Sequence, residues 1–141
     1  PYALSYLQYI FGAKITSFSG ISDMVAGEAD MQAKVLLKFD TGVLANVFLT
    51  TKIGLDKVMT IQGTKGKLVI PEFWRAKKAT LYDLSGHVLR ELDAPFDSDF
   101  VAEVEHVNQM ILSGALESPI MTEEMTVSGV KVMDGLYQSW Q

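Results

Sequence analysis

Residues 30–51, DMQAKVLLKFDTGVLANVFLTT, decide the fold, because they read as two long β-strands joined by a tight turn. Val35, Leu37 and Phe39 alternate with Lys34, Leu36 and Lys38. Val43, Ala45, Val47 and Leu49 alternate with Leu44, Asn46, Phe48 and Thr50. This period of two is the signature of a sheet. Asp40-Thr41-Gly42 supplies the turn: the Asp side chain opens it, and Gly takes the positive φ of a short hairpin loop. A sheet wet on one side is polar at every second position. Here Leu36, Leu44 and Phe48 share the face of Lys34 and Lys38, so that face is expected to be half-covered by something outside the chain.

The 141 residues read as one domain with a core of its own. Hydrophobic residues make up 48% and charged residues 21%, which argues against disorder. With no cysteine, disulfides, thiolate metal sites and thiol nucleophiles are excluded, and a cytoplasmic location is expected. A net charge of −5 repels nucleic acid and anionic membranes. No apolar run is long enough to cross a membrane, and no signal peptide opens the chain. The helical pattern begins directly after Pro1, as if the chain had been cut from a longer one.

Outward from the hairpin, residues 3–11 put Leu4, Leu7, Ile10 and Phe11 on one helical face, with Gly12 as the stop. Ile15 to Ile21 reads as a short strand and Ser22 to Glu28 as a loop. Downstream, Asp56 to Gln62 and Lys67 to Ile70 flank Gly63-Thr64-Lys65-Gly66, and Pro71 ends that strand. Ala79 to Asp83 and His87 to Glu91 flank Leu84-Ser85-Gly86 as one more hairpin. The period then changes. Phe100, Val104, Val107 and Ile111 recur at helical spacing before Gly114. Thr122 is an N-cap, and Glu123 and Glu124 suit the first turn of a last helix. Its stripe is Met125, Gly129, Val132, Leu136 and Trp140, widened by Val130, Met133 and Tyr137. The order predicts an α+β fold: a mostly antiparallel open-faced sheet, helices on one face, the other face available for dimerisation.

Chemistry is harder to find. Lys65 between glycines suggests a phosphate loop, but such a loop runs into a helix, and here both flanks read as strands. Glu103 and His106 have the spacing to reach one metal, yet di-iron bundles need that pair twice with further carboxylates. No metal site is expected. Two histidines without a nucleophile elbow give no catalytic triad. Phe73-Trp74-Arg75 after Pro71 reads equally as a ligand-cleft wall or as a cluster covering the sheet end. Tyr2 and Tyr6 on the first helix read as amphipathic packing.

Together these landmarks resemble the C-terminal domain of the glucose-fructose oxidoreductase / inositol dehydrogenase / rhizopine-catabolism (Gfo/Idh/MocA) family. The stretches that carry the resemblance are Tyr2-Ala3-Leu4 leading to Phe11-Gly12, Phe39 to Gly42 with Val43 to Phe48, and Ile61 to Gly66 running into Leu68 to Pro71 and Phe73-Trp74. Glu103 to His106, Gly114 to Pro119 and Met121-Thr122 complete them. Phe73-Trp74 makes the chain look most similar to the dihydrodiol and sugar dehydrogenase branch.

The resemblance implies an oxidoreductase that passes a hydride between a sugar, polyol or diol and NAD or NADP. An N-terminal Rossmann domain holds the cofactor, and no Gly-x-Gly-x-x-Gly fingerprint is found in this chain. Tyr2 matches the last position of the family's Asp-x-Gly-x-(His or Tyr) motif, whose Asp and Gly would precede Pro1. Tyr2 is thus the candidate acid/base, although a phenol at neutral pH needs a neighbouring cation to shuttle a proton. The Lys of the missing domain would provide it. Phe73, Trp74 and Arg75 become candidates for the substrate wall. The fragment alone is expected to be inactive and to bind no cofactor tightly, and a homo-oligomer is expected through the open sheet face. The rivals are a stand-alone, non-enzymatic α+β binding or dimerisation module, and a scaffold homologue that has lost its chemistry.

Overall fold

The computed structural model describes residues 2–12, 14–25 and 27–140. In chain order the elements are α1 (Tyr2–Phe11), β1 (Ile15–Ser22), β2 (Gln32–Phe39), β3 (Leu44–Thr50), β4 (Val58–Gly63) and β5 (Gly66–Pro71). After a 3-10 turn at Phe73–Arg75 come β6 (Lys78–Asp83), β7 (Val88–Asp93), α2 (Asp99–Ser113) and α3 (Glu123–Trp140). The fold is α+β, as the order of periods predicts. Hydrogen bonding sorts the strands into two antiparallel sheets, β1-β2-β3 and β4-β5-β6-β7. The chain gathers into two compact units, Pro1–Gly54 with Ala115–Gln141, and Leu55–Gly114.

In the first unit β2 is the middle strand, and its alternation is complete: Ala33, Val35, Leu37 and Phe39 are buried, whereas Lys34, Leu36 and Lys38 are exposed. Phe39 has no exposed surface, and its ring lies 5.6 Å from that of Phe11 at the end of α1. Burying a side chain of that size stabilises the fold by about 1.5–3 kcal/mol. The cover on this face is α3, whose Gly129, Val132 and Leu136 are buried. Close approach needs small residues. A Cβ on Gly20 would stand 2.8 Å from the Lys34 carbonyl oxygen and 3.2 Å from Leu136, and one on Gly135 would stand 2.6 Å from the Phe18 ring. The Trp140 indole N–H then reaches the Gly20 carbonyl at 2.9 Å, and Gln8 ties α1 to α3 by donating to the Met125 carbonyl at 3.2 Å.

Three local readings need correction. Val130 lies outside the buried stripe, 53% exposed, because it sits one residue past Gly129 on the solvent flank of α3. Asp40 does not close its own turn; its carboxylate accepts the backbone N–H of Lys14 at 3.3 Å, while the turn is closed by Gly42 N–H to Phe39 O. The apolar stripe of α2 is the third: Phe100, Val104, Val107 and Ile111 keep 54–69% of their surface. The Thr122 cap forms as expected, accepting the Met125 N–H at 3.2 Å.

The other face of the β1-β2-β3 sheet is open. Register places Ile21, Lys34 and Phe48 in one row and Lys38 beside Leu44 in another. Leu36 is 56% exposed and Leu44 76%. Within the first unit no described element covers it.

In the second unit β4 and β5 meet in a hairpin closed by the Gly63–Gly66 pair, a strand–turn–strand and not a phosphate loop. Gly66 has φ +155°, and a Cβ there would fall 2.0 Å from the Tyr82 carbonyl oxygen of β6. No described helix is long and apolar enough to cross a membrane.

Candidate functional site: the aromatic turn and the head of the first helix

The chain leaves β5 at Pro71, which has no N–H for a further ladder bond. Glu72 then turns it through φ 44° and ψ 49°, a left-handed conformation that is uncommon for a residue with a side chain. Arg75 N–H closes the 3-10 turn on the Glu72 carbonyl at 2.7 Å. The result is a compact aromatic platform. The Phe73 and Trp74 rings meet edge to face at 5.6 Å and 85°, both half-buried.

Charges surround it. The Lys57 ammonium stands 5.0 Å from the centre of the Trp74 ring, a cation–π arrangement. Arg75 Nε donates to Asp99 Oδ2 at 2.7 Å, tying the turn to the first residue of α2. Beyond it the Lys77 ammonium lies 4.9 Å from the centre of the Phe96 ring. Phe73, Trp74 and Arg75, adjacent in sequence, share this one turn. Lys57 and Asp99, which sequence reasoning missed, complete their setting. The available signal was register: a strand antiparallel to β5 brings the residue before Val58 opposite the residue after Pro71.

Tyr2 belongs to the other unit. It is the first residue of α1, and 74% of its surface is exposed. Packing is therefore not its role within this unit. Tyr6, one turn on, behaves differently: burial, and after it Tyr9, push its phenol pKa up.

A dinucleotide cradle is a glycine-rich turn that leads a strand into a helix N-terminus. The described glycine turns at Gly42, Gly63–Gly66 and Gly86 all lead strand to strand. The helices α2 and α3 open with Asp99 and with Glu123 and Glu124, carboxylates that oppose a pyrophosphate. These residues do not fit NAD or NADP. Among the described residues there is also no cluster of three or more His, Cys, Asp or Glu that could hold a metal ion.

Residues 1–69 match the family model described as the GFO/IDH/MocA C-terminal domain. No curated protein sequence matches the chain. Solved structures match nearly all of it. Aldose-aldose oxidoreductase from Caulobacter crescentus superposes on 97% of the chain with a TM-score of 0.79 and 20% identity, using 42% of its own length. UDP-N-acetylglucosamine 3-dehydrogenase from Acidithiobacillus ferrooxidans superposes on 96%, with a TM-score of 0.72, 15% identity and 43% of its own length. A variant of the 3-ketoreductase KijD10 from Actinomadura kijaniata, in complex with TDP-benzene and NADP, superposes on 99%, with a TM-score of 0.75, 13% identity and 46% of its own length. The chain thus spans less than half the length of each of these structures.

Proposed function

We propose that the chain, whose residues 1–69 match the GFO/IDH/MocA C-terminal-domain model, supplies the substrate wall and the subunit interface of an NAD(P)-dependent oxidoreductase. The substrate is a sugar, polyol or diol whose alcohol carbon exchanges a hydride with the cofactor. The observation that supports this reading is the match of residues 1–69 to the family's C-terminal-domain model, with solved structures of the same fold superposing on 96–99% of the chain and no glycine turn leading a strand into a helix among the described residues. The cofactor therefore belongs to a Rossmann partner domain, and the chemistry it supplies is hydride transfer. What remains for this chain is to bind, to orient and to move a proton.

In this reading the Phe73-Trp74 platform faces the C–H surface of the sugar ring, which stacks on aromatic faces while its hydroxyls stay free to hydrogen-bond. Arg75, held by Asp99, keeps the turn fixed. The phenol oxygen of Tyr2 takes or gives the alcohol proton, with a lysine of the partner domain beside it. The open face of the first sheet pairs with a second copy of the chain. The acting protein works in the cytoplasm, and the 141 residues alone are inactive.

Tyr2→Phe in the whole oxidoreductase tests this. Removal of a general acid/base costs about 10²–10⁴ in turnover, and Tyr2 is so exposed that melting should not change. Steady-state kinetics with unchanged turnover would take Tyr2 out of the mechanism.

A further inference from the structure

In the first unit β1 is an edge strand: among the described residues it pairs with β2 and with no other strand. Register tells which of its backbone groups are left over. Phe39 of β2 spends both its groups on the side of β3, donating its N–H to the Val43 carbonyl and accepting the Gly42 N–H. Such orientations alternate along an antiparallel strand, so Leu37 and Val35 also turn toward β3. Their partners across β1 are Ile15, Phe18 and Gly20, opposite Phe39, Leu37 and Val35 in turn. These three therefore point their N–H and C=O groups away from the sheet. The Gly20 carbonyl bears this out, since it accepts the Trp140 indole N–H at 2.9 Å. Trp140 closes the edge there, whereas no described strand meets Ile15 or Phe18.

A groove runs beside those two residues. Helix α3 follows β1 in the same direction, with Glu124 against Lys14, Gly135 against Phe18 and Leu136 against Gly20. Between them lies an open cavity of about 560 Å³, whose walls include Ile15, Phe18, Val127, Ser128, Lys131 and Val132. Phe18 and Val127 both keep exposed surface in it. Charge in the groove is spent locally. Lys14 pairs with Glu124 at 2.6 Å, and its backbone N–H holds the Asp40 carboxylate. Asp134, one turn beyond Lys131, accepts the Gln138 amide at 2.8 Å. Lys131 forms no ion pair among the described residues. An open strand edge beside a helix-walled groove takes an extended peptide as one more strand, with main-chain bonds giving affinity and side-chain pockets giving specificity.

We propose that an extended segment of another polypeptide adds to the free edge of β1. Its backbone bonds to Ile15 and Phe18, an apolar side chain fills the cavity, and an acidic side chain two positions along meets Lys131. The spacing fits, because Val127 and Lys131 stand four residues apart, about 6 Å along a helix, and alternate side chains of a strand stand about 6.6 Å apart. A single lysine in an otherwise self-paired groove sets the register of the peptide and does not draw anions by its field. The inference is independent of the substrate-wall reading, which concerns the other unit.

The test is a nuclear magnetic resonance titration of the 141-residue chain with the blocked peptide acetyl-Thr-Val-Thr-Leu-Thr-Glu-Thr-amide, following backbone amides. Saturable shifts are expected at Ile15 and Phe18 and along residues 127–131, and none on β3, the other edge of the sheet. Methylating every second peptide nitrogen removes the donors on one side of an added strand. One of the two alternating sets should abolish binding and the other should spare it. Lys131→Glu, at an exposed position, should weaken binding by about tenfold, the scale of turning a surface attraction into a repulsion. The same variant should prefer a peptide with Lys in place of its Glu. Absence of saturable shifts overturns the proposal, as do shifts centred on β3, equal effects of the two methylated sets, or a Lys131→Glu variant that binds both peptides as the wild type does. Shifts at Ile15 and Phe18 that grow with protein concentration and without peptide would make the occupant a second copy of the chain, and overturn it too.

Discussion

Single residues carry the tightest constraints. Gly66 combines a positive φ with a carbonyl oxygen 2.0 Å from where a Cβ would be, and that oxygen is backbone, which cannot swing away. Gly66→Ala should therefore cost about 3 kcal/mol or more, combining strain with overpacking. Gly42→Ala has the same hand of φ, +85°, but open space around it, and should cost only about 1 kcal/mol. Urea denaturation of the two variants checks the difference. A second residue-scale prediction concerns pH. Lys52 holds the Asp23 carboxyl below its usual range, helped by the backbone N–H groups of Gln32 and Met31, which donate to Oδ1 at 2.9 and 3.1 Å. Because the folded pKa lies below the unfolded one, the stabilisation is present above about pH 4, the ordinary range of an Asp, and fades as pH falls through the folded value. Asp23→Asn should flatten the acid limb of a melting-temperature profile, leaving the profile between pH 7 and 9 parallel to the wild type.

Elements show how much the residue pattern conveys and where it stops. The period of two in β2 named three of its four buried residues, Val35, Leu37 and Phe39, and Ala33 extends the same alternation, since burial on a strand follows directly from side-chain alternation. The Thr122 cap and the Gly114 stop were equally legible, being local chemistry. Pairing is not local: nothing in residues 44–63 says that β3 and β4 belong to different sheets. For the same reason the setting of Trp74 was hidden, because Lys57 lies 17 positions upstream and meets the ring only through the β4–β5 register. The α2 stripe was legible as a stripe but not as an exposed one, for amphipathicity marks what a helix is able to bury and not what covers it. The faces of β2 make this testable. Leu37 keeps 2% of its surface and Leu36 56%. Leu37→Glu would bury an unpaired carboxylate and should unfold the first unit. Leu36→Glu should leave its melting unchanged and, under the proposed interface, abolish self-association. Sedimentation velocity reads the second effect, and a wild-type chain that stays monomeric at high concentration would remove the interface.

At the scale of the whole molecule the question is what 141 residues can do alone. Dinucleotide binding draws on a positive helix N-terminus and on backbone N–H groups that a glycine turn leaves uncovered. Here the turns between strands spend those groups on hairpin closure, as at Gly42 and Gly86, whose N–H groups bond to Phe39 and Asp83 carbonyls. At α3 the Glu123 N–H is already taken by the Glu117 carboxylate at 3.0 Å, and Glu124 pairs with Lys14 at 2.6 Å. A pyrophosphate arriving there would have to displace one carboxylate while facing another, within a molecule whose net charge is −5. Calorimetric titration of the isolated chain with NAD(H) and NADP(H) should therefore give no binding in the micromolar range. The joined oxidoreductase should bind one of the pair there. Micromolar affinity of the isolated chain would mean that the cofactor is held by these residues after all, and the proposed assignment of the cofactor to a partner domain would fall.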